Sequence, residues 1–198
     1  FLVTHDVSGP VGYLDMVREA VSLPSDGVDV SDGRFPRLRR VIILGEVARG
    51  GTVEWESLAQ PAASIPDTDL AGRASAVDPD DPAFIMYTSG TTGFPKGAMH
   101  SHKLIRNVEE RGFRMAIPHN DVILNYLPLF HAFGYSEGAM MSLVTGAKQV
   151  LTRTFDPDES LDLIAAERAT LIHGFEAHMK GLTEAQEVRP RDLSSLRT

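Results

Sequence analysis

The chain has 198 residues, of which 42% are hydrophobic and 23% charged, with a formal net charge of −8 at pH 7. That apolar share excludes disorder as the dominant state, and the length allows one domain or two small lobes around a buried core. The negative charge argues against a nucleic-acid partner, no stretch reaches the roughly 20 apolar residues of a transmembrane segment, and the lack of cysteine excludes disulfides and thiolate zinc sites. The chain opens on Phe1, and Leu2 and Val3 read as an interior strand rather than a signal peptide, so a piece of a longer polypeptide is expected.

Short apolar runs alternate with amphipathic stretches, the pattern of an α/β fold with layered, mostly parallel sheets flanked by helices. In chain order, strands are expected at residues 1–4, 40–44, 83–88, 122–126, 149–151 and 170–173. Helices are expected at 12–21, 101–115, 135–145, 157–169 and 177–186. The strands are continuously apolar rather than alternating, which suits parallel strands covered on both faces. Residues 24–37, rich in Ser, Asp, Gly and Pro, read as a surface excursion, and the neighbouring cluster Arg34, Arg37, Arg39, Arg40 as a solvated rim. Residues 59–82 form a long connection with one short helix at 67–76. A further break falls at 116–121, where Pro118 and Asn120 end one helix before the next strand. The helix at 157–169 has the clearest start, with Asp156 able to cap free N–H groups, Pro157 in the first turn, and Asp158 and Glu159 at the positive dipole end.

Residues 87–97, YTSGTTGFPKG, carry the most chemistry. Three glycines (Gly90, Gly93, Gly97), four small hydroxyl residues (Thr88, Ser89, Thr91, Thr92) and one cation, Lys96, lie between an apolar strand and a helix that Ser101 could cap. Glycines let successive backbone N–H groups converge on an anion, hydroxyls donate to phosphate oxygens, and lysine adds a mobile point charge. A plain Gly/Ser/Thr turn is the bland alternative. The loop is not a Walker A motif, because Lys96 is followed by Gly97 rather than Ser or Thr. Further on, the strand at 122–126 runs into LPLFHAFG, with His131 between aromatics at a strand end, where a packed ring and a ligand-facing one are both possible. His173, Glu176 and His178 lie close together, but their spacing fits neither HExxH nor HxxEH, so no metal site is assigned.

The string YTSGTTGFPKG, continuing as AMHSH, resembles the phosphate-loop motif of the adenylate-forming (AMP-binding) superfamily, which includes acyl-CoA synthetases, firefly-type luciferases and peptide-synthetase adenylation domains. LPLFHAFG resembles the next motif of the same superfamily, in the expected order. The resemblance implies that Thr88, Ser89, Gly90, Thr91, Thr92, Gly93 and Lys96 contact the ATP phosphates, and that Lys96 and His131 serve catalysis. It further implies that Phe130, His131 and Gly134 border the carboxylic-acid pocket. Its closest likeness is an acyl-CoA synthetase or fatty-acid–CoA ligase, with ATP, Mg²⁺ (ligands mostly outside this chain) and coenzyme A as co-substrates, and a cytoplasmic or membrane-peripheral location. Carrier-protein loading, or a nucleotide-binding module without ligase activity, are the alternatives.

Only the middle of the family pattern is present. The Tyr-Gly-x-Thr-Glu segment, the ribose-binding aspartate motif and the C-terminal lysine are missing, and Gly174-Phe175-Glu176 lacks the proline of the family's Gly-x-Pro segment. The resemblance therefore implies an internal fragment of the large N-terminal domain, with residues 1–117, carrying the phosphate loop 87–97, in a first α/β lobe and 118–198, carrying the acyl-pocket motif 127–134, in a second. The fragment is expected to be inactive alone and prone to self-association through uncovered sheet edges. Met140, Met141 and Phe133 hint at an apolar acid, although such residues are more often core.

Overall fold

The structure is a computed structural model that describes residues 1–45, 49–90 and 93–197. It divides into two compact units, Phe1–Ala76 and Val77–Thr198. The division falls before the glycine-rich segment, whereas the expected break at 117/118 lies inside the second unit, in the turn between a helix and a strand.

The first unit contains β1 (Leu2–His5), β2 (Val7–Ser8), β3 (Val11–Gly12), α1 (Tyr13–Ala20), β4 (Val41–Leu44), β5 (Val53–Glu54), a 3₁₀ turn at Glu56–Leu58, α2 (Ala59–Ala62) and α3 (Asp67–Ser75). β1, β4 and β5 form a parallel sheet in that order. Leu14 of α1 packs with Val21, Val30, Val41 and Ile43 against it. The excursion after α1 is held by the buried Asp32 carboxylate, which accepts from the Ser22 and Arg34 N–H groups, each at 2.9 Å. Arg34 also pairs with Asp32 at 2.7 Å, and that side-chain hydrogen bond, with the two backbone donors, holds the carboxyl well below the usual range. Arg40 pairs with Asp29, so two members of the basic rim are neutralised locally. The hairpin of β2 and β3 and the strand β5 were not anticipated, because elements of two residues leave no periodic trace.

The second unit contains β6 (Pro82–Thr88), β7 (Lys96–Ser101), α4 (Lys103–Arg114), β8 (Val122–Asn125), a π-helix (Gly134–Met140), α5 (Met141–Thr145), β9 (Lys148–Leu151), α6 (Pro157–Glu167), β10 (Leu171–Ile172) and α7 (Glu176–Val188). Its parallel sheet runs β10-β8-β9. Both faces of β8 are covered, as its unbroken apolarity requires. Ile123 packs with Val108, Ile117, Met141 and Leu171 on one side, and Leu124 with Leu161, Ile164 and Leu182 on the other. Each such side chain contributes about 1.5–3 kcal/mol on burial. α6 begins as its sequence predicts: Asp156 accepts from the Glu159 N–H at 2.8 Å, with Pro157 in the first turn. The buried Asp121 carboxylate pairs with Arg197 and accepts from the Thr170 hydroxyl at 2.8 Å, tying the starts of β8 and β10 to the last described residues.

One expectation is corrected and another refined. The glycine-rich segment does not join a strand to a helix. It closes an antiparallel hairpin in which Thr88 faces Lys96 and Met86 faces Ala98. Ser101 ends β7 and caps nothing, and α4 starts two residues later without a side-chain cap. The apolar run of β6 therefore belongs to an antiparallel two-stranded sheet with Ile85, Tyr87 and Met99 exposed. The helix expected at 135–145 is present and starts earlier, with α-helical backbone at Ala132 and Phe133, π-helical turns over Gly134–Met140 and an α-helical end at Met141–Thr145.

Candidate active site

The hairpin of β6 and β7 positions the first group of residues. Gly90 has φ +64°, and a Cβ there would lie 2.2 Å from the Phe94 carbonyl oxygen, so only glycine lets the loop fold back on itself. Gly93 also lies in the left-handed region, at φ +83°, with open space around it. The Thr88 hydroxyl donates to the Lys96 carbonyl at 3.5 Å, closing the base of the loop. Thr88, Ser89, Gly93 and Lys96 are exposed, and among the described residues no acid lies within ion-pair distance of the Lys96 amine. Thr91 and Thr92 lie outside the described residues. The described part of the loop thus brings together left-handed backbone, the Thr88 and Ser89 hydroxyls and the Lys96 amine, the kinds of groups that can hold an anion.

The second group follows β8. Asn125 is buried; its Nδ2 donates to the Gly134 carbonyl at 3.3 Å and its Oδ1 accepts from the Leu127 N–H at 3.1 Å. A Cβ on Gly134 would lie 2.3 Å from the Pro128 carbonyl oxygen, and one on Gly138 would lie 2.0 Å from Asn125 Nδ2. Both glycines therefore let the π-helix press against the end of β8. In the intervening turn His131 Nδ1 accepts from the Phe133 N–H at 3.2 Å. A neutral ring in this arrangement carries its proton on Nε2. Phe130 projects with 85% of its surface exposed.

Two clefts meet at Phe130. One, of about 490 Å³, is lined by Phe84, Ile85, Met86 and Tyr87 of β6 together with Leu129, Phe130 and Tyr135. The other, of about 560 Å³, lies at the carboxyl ends of β8 and β9, where open α/β sheets place their ligands, and is lined among others by Tyr126, Phe130, Arg153, Phe155 and His178. His131 lines neither cleft and meets Phe175 edge-on at 6.5 Å. Gly134 lies behind them as a backbone packing position.

The sequence reading did not anticipate the ring cluster that joins the three strand ends. Tyr126 packs on Phe155 at 4.8 Å and on His178 at 5.3 Å, and Phe133 on Phe175 at 5.3 Å and on His173 at 5.9 Å. Burial pushes the Tyr126 hydroxyl up to about 12 and lowers the His173 imidazole below its usual range. His173 and His178 thus serve as packed rings, and no group of three or more His, Asp or Glu converges as a cation site among the described residues. The one legible signal was the string of aromatic and histidine residues just after β10.

The profile of the family described as "AMP-binding enzyme" matches residues 17–198. The chain belongs to the AMP-binding enzyme family. Among curated relatives, the medium-chain fatty-acid–CoA ligase of Escherichia coli (strain K12) is 31% identical over 88% of this chain and 30% of its own length. The indoleacetate–CoA ligase of Aromatoleum aromaticum is 36% identical over 74% of this chain and 28% of its own length. The solved luciferase-like enzyme of the mealworm Zophobas morio superposes with a TM-score of 0.60 at 22% identity, covering 83% of this chain and 37% of that one, and shows the shared fold. This AMP-binding enzyme chain thus spans about a third of the length of the curated relatives it matches. Its glycine-rich hairpin and the segment with Phe130 border one cleft, while the hydroxyl and lysine groups stand at the hairpin's outer end.

Proposed function

We propose that the chain is the part of an ATP-dependent acid–CoA ligase that grips the triphosphate and forms one wall of the acid pocket. The observation that supports this reading is the cleft lined by β6 and Phe130, since β6 leads directly into the glycine-rich loop. In the first step a carboxylate oxygen attacks the α-phosphorus of ATP, an acyl-adenylate forms, and pyrophosphate leaves. In the second, the thiol of coenzyme A attacks the acyl carbonyl, its proton passes to solvent, and AMP leaves.

Thr88, Ser89, Gly90, Thr91, Thr92 and Gly93 supply donors to the β- and γ-phosphates, and Lys96 offsets the charge that collects on departing pyrophosphate. His131, with Nδ1 occupied by the Phe133 N–H, presents an Nε2–H donor for the acid or its adenylate. Phe130 and the apolar linings of both clefts favour an apolar acid, a fatty acid among them. No described cluster of acids fits Mg²⁺, and no step above runs through it. No described helix is long and apolar enough to cross a membrane; a cytoplasmic enzyme working on ATP and coenzyme A fits this reading.

The test is carboxylate-dependent exchange of labelled pyrophosphate into ATP, measured on the protein at the full length of its relatives. Exchange stimulated by apolar acids is expected, and ATP hydrolysis indifferent to every acid would overturn the proposal. His131→Ala should lower kcat/KM for the acid more than the affinity for ATP, and equal small effects on both would return His131 to a packing role. The 198-residue chain alone should bind triphosphate weakly and catalyse no exchange, because in-line positioning of acid and α-phosphate supplies several kcal/mol of the barrier.

A further inference from the structure

Helix α4 follows β7 directly, and in its last turn Arg111 reaches the π-helix. Arg111 Nη2 lies 2.7 Å from Glu137 Oε1, whose side chain is only 13% exposed. The Ser136 hydroxyl donates to the same oxygen at 3.2 Å. Neither Arg111 Nε nor Arg111 Nη2 has an aligned hydrogen-bond partner among the described residues, so the pair is a close ion contact, and the buried His173 Nε2 nearby is likewise without a partner. A half-buried carboxylate in an apolar setting costs free energy unless paired, and an apolar pair of the same size would pack there without that cost. Stability alone therefore gives a poor account of this pair.

The placement of Glu137 gives a better one. π-Helical turns have poor hydrogen-bond geometry and persist where surrounding contacts hold them, often at functional sites. Here Gly134 and Gly138 seat the helix against Pro128 and Asn125, which sets its distance from β8. Those contacts select the face that meets β8, and the Glu137–Arg111 pair adds a tether at a second point on the helix circumference, to α4. Phe133, the residue before the π-helical turns, carries the rotation outward: its ring lies on His173 at 5.9 Å and its N–H donates to His131 Nδ1.

We infer that Arg111 and Glu137 are positioning residues that help fix the rotation of the π-helix and, through the Phe133 N–H, the orientation and tautomer of His131. This deepens the ligase reading by naming what aims His131, and rests on it for consequence but not for detection.

The test is long-range ¹H–¹⁵N spectroscopy of the histidine rings in the 198-residue chain, comparing wild type with Glu137→Gln, Arg111→Met and Arg111→Lys, with amide spectra as the folding control. Glu137→Gln and Arg111→Met should each erode the pure Nε2–H pattern of His131, and Arg111→Lys should restore much of it. His173 supplies an independent sign. Burial lowers its titration, Glu137 raises it and Arg111 lowers it, so Glu137→Gln should move its midpoint down and Arg111→Met should move it up. Should Glu137→Gln fail to fold, Arg111→Met, at a side chain 41% exposed, gives the same reading. A His131 pattern identical in wild type and the folded variants would overturn the inference. Because these signals need neither ATP nor acid, absence of ligase activity would sink the functional proposal and leave this one standing. In the full-length enzyme, about a tenfold loss in kcat/KM for the acid with unchanged KM for ATP is the expected consequence of Glu137→Gln.

Discussion

The parallel sheet β10-β8-β9 and the hairpin β6–β7 lie in the same compact unit and are built on opposite principles. In the sheet, successive residues of β8 are buried on two faces, and its central side chains are 1% exposed. In the hairpin, Ile85, Tyr87, Phe94 and Met99 are each more than half exposed, and two loop glycines take left-handed backbone conformations that leave the tip free to face an anion. Under the proposed function the contrast separates two tasks: the sheet carries the stability, and the hairpin carries the ligand contact.

Substitutions can break or sharpen that separation. The largest expected effect is Leu124→Ala, which removes a side chain packed between α6 and α7 and should cost about 2–5 kcal/mol in denaturant unfolding. Ile85→Ala, on a hairpin side chain 52% exposed, should change stability by under about 0.5 kcal/mol. A comparable loss at both sites would erase the distinction. Gly90→Ala should act between these extremes and on binding first. Its Cβ would meet the Phe94 carbonyl at 2.2 Å and its φ of +64° is strained for alanine, so the loop must reshape at a cost of about 1–2 kcal/mol. Triphosphate affinity should fall while the β8 amides keep their hydrogen-exchange protection.

The smallest expected effect is pH-dependent and belongs to the sheet. The Arg197 side chain, followed by the Thr170 hydroxyl, holds the Asp121 carboxyl below its usual range. With its pKa lower in the folded state, Asp121 binds more protons when unfolded, so stability rises with pH through that window. The contribution is present above the ordinary carboxylate pKa of about 4 and is lost as pH falls through the folded value. Unfolding free energies from about pH 2 to 6 should show this acid limb shrink in Asp121→Asn and stay unchanged in Lys96→Ala.

The same contrast explains what could be read from the amino-acid order. β8 and α6 were legible because burial on two faces and an Asp-Pro start are local patterns. The loop at 87–97 was legible as chemistry but not as topology. Lys96, Gly97 and His100 are poor strand formers, so β7 leaves no apolar run, and its pairing comes from register with β6. The ring cluster of Tyr126, Phe155, Phe175 and His178 was not legible as a unit, because three strand ends bring it together. Arg111 and Glu137 read as ordinary charged residues until α4 and the π-helix meet.

The most direct measurement is titration of a triphosphate into the wild-type chain and into Lys96→Ala, with unfolding of both proteins followed in parallel. A charge-assisted contact of about 1.5–3 kcal/mol predicts affinity weaker by about ten- to a hundredfold in Lys96→Ala, with an unfolding midpoint indistinguishable from wild type. Equal affinities, or a loss of affinity that tracks a loss of stability, would contradict the account.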